Sequence, residues 1–140
     1  MDFSSLVIME KDKENGVIKG ELGSYSVLEG TNFVKKLYCV DGDVSLFFDT
    51  DKDVLEWEFS AIYDLFNVEA LTSLGYIVEE FDEEYNPTWV VKFKFDDEHE
   101  EMRAVLNEVC SIIDKQMKKV FEDIKGKEED YKQYLKGELK

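Results

Sequence analysis

Apolar residues in the first sixty positions fall in short β-rich runs: Leu6 to Met9, Val17-Ile18, Phe33 to Val40, Val44 to Phe48 and Val54 to Phe59. Runs of this length, rich in branched and aromatic side chains and bounded by turn residues, predict strands. Asn15-Gly16 and Asp41-Gly42 stand in the connections, where tight hairpin turns need residues that accept positive φ, and Gly20, Gly23 and Gly30 mark bends or bulges. The economical arrangement is an antiparallel meander. In its last strand Leu55, Trp57 and Phe59 alternate with Val54, Glu56 and Glu58, which sets large side chains on one face and two carboxylates on the other.

After Phe59 the period lengthens. Ile62, Leu65 and Phe66 follow at helical spacing, and Asn67 is placed to cap a second short helix that runs through Leu71 and Leu74 and is closed by Gly75. Tyr76 to Phe81 and Trp89 to Phe95 predict a further hairpin, with Asn86-Pro87 in its connection. In the return strand Trp89, Val91, Phe93 and Phe95 share the packed face, while Val90, Lys92 and Lys94 share a mostly wet one. The strongest signal comes last. Met102, Val105, Leu106, Val109, Ile112, Ile113, Met117, Val120, Phe121 and Ile124 recur at steps of three and four, the stripe of a long amphipathic helix that covers a sheet. Asp97 and Glu100 have the spacing of a capping box at its start, and Gly126 can end it. The expected fold class is α+β: an antiparallel sheet packed against a long C-terminal helix, with short helices between strands. Residues 1–126 read as one domain and 127–140 as a short helical extension. Tyr131, Tyr134, Leu135 and Leu139 give that extension a weak apolar stripe, open to docking on the domain, pairing with a second subunit, or fraying.

Composition adds acidity to this picture. The 140 residues hold 33 Asp and Glu against 17 Lys and Arg, a formal charge of −16, yet 44% are hydrophobic and there are ten Phe, seven Tyr and two Trp. Such a chain folds, because it has enough apolar surface to offset the entropy of ordering. The charge is unevenly spread: residues 1–113 carry 26 acids and nine bases, residues 114–140 seven acids and eight bases. An acidic body therefore bears a nearly neutral arm. No apolar run approaches the length of a membrane span and no basic leader precedes a signal core, so the expected location is the cytoplasm, with no membrane partner. Cys39 and Cys110 lie far apart without metal-ligand spacing, which predicts two buried, reduced thiols.

Three stretches together, LVIMEKDKENG from Leu6, EWEFSAIYDLFN from Glu56 and NPTWVVKF from Asn86 ahead of a long helix containing Cys-Ser-Ile-Ile, resemble a family of short acidic proteins from clostridia-type bacteria with no assigned function. The resemblance implies a bacterial origin and one domain over nearly the whole chain. It transfers no catalytic or binding residue.

The candidate chemistry is sparse. Asp41 and Asp43, followed by Asp49, Asp51 and Asp53, put five carboxylates in thirteen residues, the oxygen-rich composition that hard cations such as calcium favour. The strongest metal candidates are Asp49, Asp51 and Asp53. The match to a calcium loop fails at its sixth position, Val54 where glycine is needed, and at its twelfth, Ser60 where a bidentate Glu belongs. Glu58 and Asp64, beside Trp57, Phe59 and Tyr63, are the acids with apolar sequence neighbours, set against the commoner role of an acid at a sheet edge or in a helix cap. His99 is the only histidine and falls among acids in the first turn of the long helix, where neither cysteine is expected to reach it. Phosphate-binding glycine loops and nucleophile elbows are missing, so no cofactor is implied. Sixteen of the 17 basic residues are Lys, and no basic stripe interrupts the first 113 residues, which argues against nucleic acid. The reading that follows is a non-enzymatic binding or regulatory protein presenting an acidic surface to a protein partner, for which a basic one is the natural complement, or pairing with itself through the C-terminal helices with Tyr131, Tyr134, Leu135 and Leu139. The alternative is a small-ligand binder or enzyme with a carboxylate-lined pocket between sheet and helix, for which Trp57, Tyr63, Tyr76, Trp89 and Phe93 are the aromatic candidates.

Overall fold

The computed structural model describes residues 4–132. Its elements follow the order β1 (Ser4–Lys11), β2 (Ile18–Val27), a 3-10 turn (Thr31–Phe33), β3 (Val34–Val40), β4 (Asp43–Asp49), α1 (Glu56–Leu65), α2 (Glu69–Thr72), β5 (Ile77–Glu80), β6 (Thr88–Lys94) and α3 (His99–Asp123). The class is α+β. Six strands form one sheet in the order β2-β1-β3-β4-β6-β5.

The sheet is mostly antiparallel but departs from a meander at one seam. After the β1–β2 hairpin the chain passes back across β1 and lays β3 on its far side, so β1 and β3 run parallel through Met9 with Tyr38 and Glu10 with Cys39. The β1–β2 turn is held by the Asp12 carboxylate, which accepts the amides of Glu14 and Asn15, with Gly16 at φ 70°. Between β3 and β4, Asp41 and Gly42 both adopt positive φ, 50° and 81°, as a two-residue hairpin turn requires. The predicted Val17-Ile18 strand extends to Val27, because register shifts opposite Ile8–Met9 and Glu10–Lys11 absorb the irregularity of Gly20 and Gly23 without ending the ladder.

Two local expectations are corrected. Residues 54–59 do not form a strand: Glu56 to Leu65 is helical, and the Glu58 carboxylate reaches back to accept the Leu55 amide at 2.8 Å. Trp57, Ala61 and Ile62 point inward at steps of four and one, so the apparent alternation of Leu55, Trp57 and Phe59 is an accident of a short window, and Leu55 stays 62% exposed. The Asp97–Glu100 capping box does not form either. The helix starts after Glu98, whose amide is held at 2.9 Å by the Asp96 carboxylate one position further upstream. Asn67 does stabilise the start of α2, accepting the Glu69 amide at 3.2 Å, and Gly75 closes the segment at φ 96°.

One face of the sheet is sealed. Ile8, Tyr25, Val27, Cys39, Val44, Leu46, Phe48, Trp89 and Val91 are buried in a single cluster with Met102, Leu106, Val109, Cys110, Ile113, Met117 and Val120 of α3. The short helices complete this side, with Phe66 packed on both Phe48 and Trp89 at 5.5 and 4.6 Å between ring centroids. Asp43, Ser45 and Phe47 project to the opposite face, alongside Tyr38 and Lys36 of β3 and Val90 and Lys92 of β6.

α3 is tied along β2 and the crossover that follows it. His99 stacks on Tyr25 at 4.7 Å and its Nε2 lies 2.9 Å from the Ser24 carbonyl. Asn107 accepts the Leu28 amide and donates to the Ser26 carbonyl, both at 3.0 Å. Ser111 donates to Glu29 at 2.7 Å. The contacted backbone groups of residues 24, 26 and 28 belong to the side of β2 that no strand pairs, so the helix covers an edge as well as a face. Gly30, at φ 86°, makes the closest approach: a Cβ there would lie 2.2 Å from the Cys110 carbonyl oxygen. Left-handed backbone and contact with rigid helix both demand glycine.

Replacing Gly30 with Ala adds backbone strain and overpacking at one point, each costing about 1 to 3 kcal/mol. Urea unfolding is expected to show a stability loss of about 3 kcal/mol, whereas Gly16→Ala, also at positive φ but with open space around it, bears only the backbone strain of about 1 kcal/mol.

Candidate functional site

The Asp-rich turn after β4 is organised by hydrogen bonds within the chain. Asp49 accepts the Asp51 amide at 2.7 Å, and Asp51 sits at φ 60° with its carboxylate between the Asn32 amide, 3.0 Å away, and the Lys35 ammonium, also 3.0 Å away. Lys35 Nζ lies 3.7 Å from Asp49 as well. Lysine thus occupies the place between Asp49 and Asp51 that a divalent cation would need. Asp53 turns elsewhere and accepts the Asn86 side-chain amide at 3.1 Å. The Asn32 hydrogen bond and then Lys35 hold the Asp51 carboxyl below the usual carboxylate range. Among the described residues no three His, Cys, Asp or Glu side chains group as metal ligands.

The nucleophile candidates are separated and muted. Cys110 is fully buried under the Gly30 crossover, and burial pushes its thiol up to about 12. Cys39 is buried on the sheet, where burial and then the carboxylates of Glu10, Asp43 and Asp41 raise its thiol against the opposing Gly42 backbone hydrogen bond. His99 keeps a half-exposed ring engaged with Tyr25 and Ser24. Of the aromatic pocket candidates, Trp89 and Trp57 belong to the core, and Tyr63 bridges the Phe81–Thr88 strand end by accepting the Thr88 amide at 2.9 Å and facing the Thr88 carbonyl at 3.1 Å. Tyr76 donates to Glu108 of α3 at 2.5 Å, and burial together with that carboxylate raises its phenol. Tyr63 and Trp89 pack on each other between sheet and helices, whereas Tyr76 and Phe93 line an open concavity of about 750 Å³ with Asp41, Asp43, Lys92 and Lys94, and Trp57 lines another beside Glu58 and Phe121.

Tyr131 lies on its own domain, donating to Asp64 at 3.2 Å with its ring 6.4 Å from that of Trp57. The other residues of that stripe, Tyr134, Leu135 and Leu139, lie outside the described residues.

Two surface features were not visible in the linear pattern. The Asn86–Asp53 bond draws together the segments 49–58 and 79–84, each with five carboxylates, of which Asp51, Asp53, Asp82, Glu83 and Glu84 lie in the two loops. Beside them stand Tyr85, 78% exposed, and Leu55. The second feature is the face that no helix covers among the described residues. There the rings of Tyr38, Phe47 and Phe81 follow one another at 5.8 and 5.7 Å, over Val90, which is only 5% exposed yet lies outside the main core cluster. Lys11 caps the Tyr38 ring at 4.0 Å and Lys36 the Phe47 ring at 5.5 Å. Lysines distant in sequence, each unremarkable alone, come to one face because alternate residues of β1 and β3 project to one side. Lys92 and Lys94 share the face but are paired with Glu79 and Asp43.

Fold and site together define an acidic α+β protein built on a one-sided sheet, with its thiols in the core and its distinctive features on two surfaces. Residues 1–132 match the model of a family of unknown function, DUF6762, and the chain belongs to that family. No curated protein and no solved structure matches it. No helix among the described residues is long and apolar enough to cross a membrane.

Two measurements check these assignments. Titration with calcium is expected to leave the melting temperature of the native chain unchanged, because the Lys35 ammonium already balances Asp49 and Asp51; a saturable upward shift would contradict it. The raised Cys110 thiol binds its proton more tightly in the folded state, so its contribution to stability is complete below the ordinary thiol range and is lost as pH rises towards about 12. Cys110→Ala is therefore expected to flatten the alkaline limb of the stability curve above pH about 9, read by urea unfolding at stepped pH.

Proposed function

We propose that this protein is a non-enzymatic binding protein that presents the acidic end of its sheet to a basic protein partner. The observation that carries this reading is the juxtaposition of the two acidic loops, joined by Asn86 and Asp53, with exposed Tyr85 and Leu55 beside them. Fixed carboxylates steer a cationic partner towards this end and discourage wrong ones, while an exposed aromatic ring supplies area that can be desolvated on contact. The engagement of the reactive side chains elsewhere supports binding over catalysis: both thiols are buried with raised pKa, and His99 is held by β2.

The test is retention of proteins from a lysate of the source organism on immobilised chain at low salt, followed by a salt gradient. Screening lengths shorten from about 10 Å at 0.1 M to about 3 Å at 1 M, so a partner held by this end elutes across that range. A variant carrying Asp53→Asn, Glu56→Gln, Asp82→Asn and Glu83→Gln is expected to lose that protein. An empty column at low salt, or equal retention by the neutralised variant, would refute the reading.

A further inference from the structure

We infer that two copies of this chain pair across a two-fold axis through the helix-free face of the sheet, each placing its Asp82–Asn86 loop against the lysine-capped aromatic rings of the other. The surface has the layout such a pairing needs. One part is cationic and aromatic: Lys11 on Tyr38 and Lys36 on Phe47, and neither ammonium takes part in an ion pair among the described residues. The adjoining part is anionic and carries a projecting ring: Glu83 and Glu84 are exposed and Tyr85 is 78% exposed. A cleft of about 180 Å³ separates the two, with Lys36 and Phe47 on one wall and Glu84 and Tyr85 on the other.

The charge pattern selects the occupant. A basic peptide seated here would meet Lys11 and Lys36, and a nucleic acid or acidic peptide would meet Glu83 and Glu84. The face suits a surface that bears both signs in reversed order, and rotating this same patch by 180° produces that surface: in a two-fold contact, whatever residue i offers to j, j offers back to i. Net charge points the same way. Identical copies of a chain with charge −16 repel over most of their surface, whereas on this face Lys11, Lys36, Lys92 and Lys94 offset the local acids. Pairing would also cover Tyr38, Phe47 and the protruding Tyr85, removing aromatic area from water. The inference goes beyond the basic-partner reading and does not need it; because both use the Asp82–Asn86 loop and Tyr85, a basic partner engages that loop in the unpaired chain.

Sedimentation equilibrium on the purified full-length chain tests the pairing with no other protein present, so its failure leaves the basic-partner reading standing. The native chain is expected to show a reversible monomer–dimer equilibrium at about 50 mM salt that weakens as salt rises. Lys36→Glu and Glu84→Lys, both at exposed positions, are each expected to weaken self-association at least about tenfold, since like charges then face each other across the axis. Mixing the two variants restores complementarity at both ends of the contact, and a heterodimer of near-native affinity is expected. Circular dichroism of each variant confirms that the fold is retained, and Tyr85→Ala provides an uncharged check with the same direction of effect. A native chain that stays monomeric at low salt overturns the inference, as do dimers indifferent to the single charge reversals or a mixture that associates no better than either variant alone.

Discussion

The approach of Gly30 to the Cys110 carbonyl of α3 is the contact on which the topology rests. A chain leaving β2 must cross from the sheet's outer edge to the far side of β1 before it can begin β3, and it does so in a few residues pressed against the helix. Only a residue without a Cβ, in left-handed backbone, fits between them. Asn107 and Ser111 bind the residues just before Gly30 and so hold the crossover to the helix. The parallel pairing of β1 with β3 follows from that route, and with it the position of the whole β3–β4–β6–β5 half of the sheet. Asn107 ties helix to crossover with two hydrogen bonds, accepting the Leu28 amide and donating to the Ser26 carbonyl, each contributing about 1 kcal/mol.

With all the helices gathered on one side, the two faces of the sheet acquire different tasks. The helical side takes both cysteines and six aromatic residues into a buried core, and the cost of ionising a thiol there keeps them chemically quiet. The other side is left to solve its own solvation. It does so by laying lysine stems over aromatic rings, which shields apolar carbon while leaving each ammonium in water, and by pairing Lys92 and Lys94 with acids on neighbouring strands. The acidic excess is concentrated in the loops at the ends of strands, where like charges can spread into solvent instead of facing one another across a ladder.

Much of this was readable residue by residue. The long stripe from Met102 to Ile124 specifies α3, Asp41-Gly42 specifies a tight hairpin, and the two cysteines, without metal-ligand spacing, read as the interior thiols they are. Residues 54–59 misled, because six residues of alternating large and acidic side chains fit a strand as well as the first turns of a helix, and the deciding event is the reach of Glu58 back to Leu55 followed by burial of Ala61 and Ile62. The meander misled for a different reason: successive hairpins and a crossover have the same local signals, and the difference is where β3 finds its partner.

Local periodicity and turn chemistry were enough to specify the α+β class, the strands that flank tight turns and the helix that covers them, since each depends on neighbours within a few positions. Charge sums along the chain likewise identified an acidic body. Which lysines and rings meet, whether Asp49 and Asp51 face a cation or Lys35, and how the two acidic loops come to lie at one end were decided only by tertiary structure. Those relationships join residues dozens of positions apart, and no local pattern encodes a distance that is set by strand order and by one glycine's contact with a helix.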